Sequence, residues 1–146
     1  MRSLVRSIYI AGGILMLAGV QNASAQIIDR VEFTTAFPFT VGHATVPAGS
    51  YTITPDFDNP QFLELTGDHV GVFFQTENTE ARELPSKTEV VFKHYGDKYL
   101  LKEIWVAGTN GGATIMAAEP EKHMAKNPAP AADQRVAARK SATPKN

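Results

Sequence analysis

The sequence predicts an all-β fold: a small antiparallel sandwich or barrel of about seven strands, followed by a short helical turn and a disordered tail. Three observations predict it. Turn signals recur every eight to twelve residues between about 26 and 118. The stretches between them are rich in β-branched and aromatic residues, and apolar alternates with polar. The connections are short, which suits antiparallel neighbours rather than crossovers.

Taken in order, RVEFTTAFPFTV (30–41) places Val31, Phe33 and Thr35 on one face and Glu32 and Thr34 on the other. Pro38 has no ladder donor, so the strand bends there or lies at an edge. VPAGSYTITP follows, with Pro47 fixing φ, Gly49 tolerating positive φ, and Tyr51 and Ile53 sharing a face beyond the turn. QFLELT and HVGVFFQT are strands joined through Gly67-Asp68, and Val70, Val72 and Phe74 alternate with Gly71 and Phe73. ENTEARELPS is polar and reads as a loop or a short helical excursion. TEVVFKHY and KYLLKEIWV form a hairpin about Gly96-Asp97. Simple alternation puts Tyr99, Leu101, Glu103 and Trp105 on one side and Leu100, Lys102, Ile104 and Val106 on the other. ATIMAA is the last strand. Tyr95, Gly96, Asp97, Tyr99 and Trp105 are therefore expected to build the hairpin, and Pro47, Gly49 and Tyr51 the earlier turn.

Residues 1–25 read as a secretory signal peptide. Arg2 and Arg6 precede the uncharged IYIAGGILMLAGV, and Ala23 and Ala25 stand before a cut ahead of Gln26. The apolar run is too short for a spanning helix, so the mature chain is expected to be exported, periplasmic or extracellular, with no membrane span. There is no cysteine, which removes disulfides, thiolate metal sites and thiol catalysis. Residues 119–146 lack aromatics and are dominated by Ala, Pro and Lys, a composition that buries little. They read as mostly disordered, with a helical turn in PEKHMAK.

Residues 26–118 hold twelve Asp/Glu and six Lys/Arg, a formal charge of −6, whereas the tail has six Lys/Arg and three Asp/Glu, a formal +3. An acidic domain makes a poor nucleic-acid binder. His43, His69, His94 and His123 show no ligand spacing. Asp56, Asp58 and Asn59 begin like a calcium loop, but Pro60 and Gln61 replace the rest of that pattern, and the trio suits a turn. No nucleophile elbow or phosphate loop is present. Catalytic, cofactor and metal residues are accordingly all expected to be absent. The aromatics Phe33, Phe37, Phe39, Phe62, Phe73, Phe74, Phe92, Tyr95 and Tyr99, with Trp105, are expected to fill the core of a domain that has no disulfide to rely on.

Three segments, FPFTVGHATVPAGSYTI, VVFKHYGDKYLLKEIW and EPEKHMAKN, resemble a family of small exported bacterial β-rich proteins without an established activity. The shared pattern is F-x-F-x-V-G running into P-A-G-x-Y, then V-F-x-x-Y-G-x-x-Y ending in Trp, then a Glu- and Lys-rich segment. The pair before the hairpin Tyr often reads His-Arg in that family, and Lys93-His94 here, which argues against a catalytic His94. The tail after Asn127 falls outside the pattern. The resemblance implies a signal peptide and a compact β domain. The function expected is non-catalytic binding of a protein or cell-envelope component. The alternatives are a carrier with an aromatic-lined apolar cavity, and a weak hydrolase using Asp56 and its neighbours or His69 with His94.

Overall fold

The alternation in VEFTT starts the first wall of a closed barrel. The computed structural model describes residues 30–117, 126 and 132–141. Among these, ten strands form: β1 (Val31–Thr35), β2 (Phe39–Val41), β3 (Ala44–Val46), β4 (Gly49–Pro55), β5 (Phe62–Thr66), β6 (Gly71–Glu80), β7 (Glu89–Tyr95), β8 (Lys98–Trp105), β9 (Gly111–Ile115) and β10 (Ala132–Lys140). The segment expected to be a signal peptide lies outside the described residues, and so does the turn expected in PEKHMAK apart from Lys126.

Eight strands close the ring in the order β1–β4–β5–β6–β9–β8–β7–β10 and back to β1, every pair antiparallel. Closure leaves no wall strand with a free edge. The chain bends at 36–38, where Thr35 Oγ1 donates to the Phe37 carbonyl at 3.0 Å, and Pro38 marks the end of β1 as expected. The β2–β3 hairpin then turns through Gly42 (φ +57°) and lies parallel to β8 at Thr40 and Leu100. It delivers Phe39 among Phe33, Tyr51 and Phe92, with ring centroids 5.1–6.1 Å apart.

The interior is filled by side chains from the walls: Val31 and Phe33, Ile53, Leu63 and Leu65, Phe74, Val90 and Phe92, Leu101 and Ile104, Ala113 and Ile115, each no more than 5 % exposed. A lining around a ligand-sized void would keep accessible surface. Here the rings meet one another, and each fully buried Phe contributes roughly 1.5–3 kcal/mol by leaving water.

Three expectations change. First, β6 runs on through Glu77-Asn78-Thr79-Glu80, which read as loop. The polar stretch is held by its ladder to β9, Thr76 to Ile115 through Glu80 to Gly111, so long-range pairing overrides weak local propensity. Second, the pairing of β7 with β8 shifts between Val91 and Phe92, leaving Lys102 as an extra residue. This bulge reverses the phase of β8: Tyr99 and Leu101 share the inner face with Ile104, while Glu103 and Trp105 turn outward. Third, the β domain does not stop at residue 118. Residues 132–140 of the supposed disordered tail form β10, between β1 and β7. Two ready-made strand edges supply the order that composition alone could not.

Candidate functional site

The hairpin expected at 89–105 is present. Its turn is Gly96-Asp97, with Gly96 alone at positive φ (+63°), the φ pattern of a type II′ turn. Beside the turn, three rings stack. His94 lies on Tyr99 at 4.2 Å and 7°, and Tyr99 on Phe37 at 3.9 Å and 22°. Phe37 meets Phe92 edge-on at 5.2 Å. Tyr95 is half-buried and Asp97 exposed. His94 is thus a packing ring. His69 is exposed in the turn joining β5 to β6, with β9 and β8 between it and β7 in the ring order. The fold does not bring the two histidines together, and His43 is exposed in the β2–β3 turn. Among the described residues no three His, Asp or Glu side chains are grouped to hold a metal ion.

Tyr51 is the centre of the earlier turn. Its hydroxyl donates to the Pro47 carbonyl at 2.6 Å, and burial pushes its phenol pKa up, with Asp68 adding to the effect. Gly49 is not at positive φ, contrary to expectation. A Cβ there would make only an ordinary contact with Tyr51, whereas at Gly67 a Cβ would stand 2.6 Å from Tyr51 Cε1, so Gly67 is the glycine that leaves room for the ring.

The DFDN segment makes turn bonds. Asp56 Oδ1 accepts from the backbone N–H groups of Asp58 (2.8 Å) and Asn59 (3.2 Å), and Asn59 Oδ1 from that of Gln61 (3.3 Å). The same loop holds Phe57 in solvent, 89 % exposed.

Other apolar side chains are exposed on the outer wall. Phe73 on β6 is 62 % exposed and directly opposite Glu64 of β5. Two residues on, Gln75 faces half-buried Phe62, and its carbonyl accepts the Met116 N–H at 3.0 Å. Met116 is 41 % exposed. Phe62, Phe73 and Met116 therefore lie on one outer face around Gln75, with Glu64 and Glu77 beside them. Its centre was legible in part, since Phe74 inward forces Phe73 outward. Assigning every aromatic to the core was the error.

Two grooves mark other parts of the wall. One, of about 590 Å³, is lined by Leu84, Pro85, Glu89, Glu103, Trp105 and Arg135. In it the half-buried Trp105 donates from Nε1 to Glu103 Oε2 at 2.9 Å, and its ring lies over Gly112. The other, of about 700 Å³, runs along Glu32, Thr34, Ser50, Thr66, Asp68 and Arg139. Hydrogen bonds from Ser141 and Arg139 hold the Glu32 carboxyl below the usual range.

No protein-family model, curated protein or solved structure matches the chain. The surface chemistry alone therefore carries the functional reading.

Proposed function

We propose that this is an exported, non-catalytic β-barrel module that binds a protein of the cell envelope through the outer wall around Phe73. The observation that carries the reading is the distribution of apolar side chains. The interior is filled by its own rings, while Phe73 and Met116 stand exposed on the outer wall and Phe57 in the loop before β5. Exposed aromatics clustered on a polar-rimmed surface mark association sites. The rim here is acidic, so the partner should offer an apolar knob or groove with Lys or Arg around it. The DFDN carboxylate is already engaged in its own turn, which supports a binding role over hydrolysis.

The test is a photo-crosslinking amino acid placed at position 73 in cells making the full-length chain, with position 45 on β3 as the control. A discrete adduct from 73, lost on Met116→Ser and weakened by salt, is the expected result. Identical adduct patterns from both positions, or none from 73, would refute the proposal.

A further inference from the structure

We propose that β10 is an exchangeable strand, so that residues 132–140 of one copy close the barrel of a second copy by seating between its β1 and β7. Each of the other seven wall strands buries at least two side chains, whereas β10 fully buries none. Only Val136 and Ala138 rest against the core. β10 itself brings the least apolar burial of any wall strand, so it is the wall strand that opens at the lowest free energy.

Among the described residues, β10 is held by the backbone ladder on both sides and by ion pairs that include three to its neighbours. Lys93 meets Asp133 at 3.0 Å, Arg135 meets Glu89, and Arg139 Nε donates to Glu32 Oε2 at 2.8 Å. These pairs are partly exposed, and such pairs are individually weak and screened by salt. All of them join β10 to β1 or β7. They form identically whichever copy supplies the strand, and the alternation of Asp133, Arg135 and Arg139 against Lys93, Glu89 and Glu32 sets the register. An empty slot leaves two open edges facing each other, which demand a strand.

The connection permits the exchange. Residues 116–131 separate β9 from β10. Sixteen residues reach at most about 55 Å, well beyond the roughly 13 Å radius of gyration of a domain this size. Swapping an identical element keeps the contacts and changes only which chain makes them.

A cysteine-free chain gives a clean test. Lys93→Cys and Asp133→Cys are prepared as separate full-length proteins, mixed, incubated under mild oxidation and run unreduced. Directly paired strand positions suit a disulfide. The expected result is a heterodimer whose linked peptide joins positions 93 and 133. Its yield should rise with protein concentration, and it should form faster in about 1 M salt, where the Debye length is about 3 Å. The control is a mixture of Thr52→Cys with Thr66→Cys, which are paired between β4 and β5 in the interior of the chain. A yield no higher than the control overturns the proposal. Should either variant lose the wild-type circular dichroism, Glu32→Cys with Arg139→Cys, also paired in register, asks the same question under the same criterion.

Discussion

Gly112→Ala tests the outward turn of Trp105 most directly. A Cβ at position 112 would stand 2.5 Å from Trp105 Cε3, 2.8 Å from its Cζ3 and 2.7 Å from the Ile104 carbonyl oxygen. The indole can swing away. The carbonyl belongs to the β8–β9 ladder and moves only if the strands part at Ile104–Ala113 and Trp105–Gly112. Overpacking of this kind costs about 1–3 kcal/mol, and the unfolded-state gain from replacing glycine returns about 0.4–1 kcal/mol. The net expectation is a loss of about 1–2 kcal/mol, or a melting temperature lower by about 4–16 °C for a domain of this size. Trp105 is the only tryptophan, so its emission reports the local change, and displacement from Gly112 into water should shift it to the red. Urea unfolding followed by fluorescence and circular dichroism gives both numbers. In a Trp105→Phe background the smaller ring should relieve part of the clash, so the glycine substitution should cost less there. Unchanged emission with stability within about 0.5 kcal/mol of wild type would show that Trp105 does not lie over Gly112 and that the bulge in β8 is misassigned.

Other outcomes follow from the same packing. Tyr51→Phe removes the bond to the Pro47 carbonyl and should cost about 0.5–1.5 kcal/mol in urea unfolding. Phe92→Ala, at the centre of the ring cluster, should cost about 3–5 kcal/mol, whereas Phe73→Ser should stay within about 0.5 kcal/mol of wild type; equal costs would contradict the inward and outward assignments. Because the Glu32 carboxyl is held below its usual value of about 4.3, its contribution is present above that pH and is lost as pH falls through the lower folded value. The stability gap between wild type and Glu32→Gln should accordingly shrink as pH falls below the usual carboxylate range. If the signal-peptide reading holds, intact-mass measurement of the protein made in its own cells should give a chain beginning at Gln26, and an uncleaved Met1 would refute it.

Much of the wall was legible because strand alternation is local. The inward set Val31, Phe33, Tyr51, Ile53, Leu63, Leu65 and Phe74 follows from a period of two, and the hairpin turn follows from Gly96-Asp97. The site was less so. Phe73 could be read as outward beside Phe62 of the preceding strand, but its company with Met116 depends on β9 pairing with β6 from far along the chain. The phase of Trp105 was misread for a related reason: one extra residue in β8 leaves no mark in composition and inverts every side chain after it.

By itself the sequence determined that the region would be strands, where most of them turn, which residues within a regular strand share a face, and that no disulfide would hold them. Those properties come from backbone sterics and side-chain periodicity over a few residues. The tertiary structure decided that the strands close into a barrel, that polar residues 77–80 join its wall, and that a poorly apolar segment at 132–140 completes it. The physical reason is that an open edge of backbone donors and acceptors will order a segment whose own side chains cannot, and such an edge exists only once the rest of the wall has assembled.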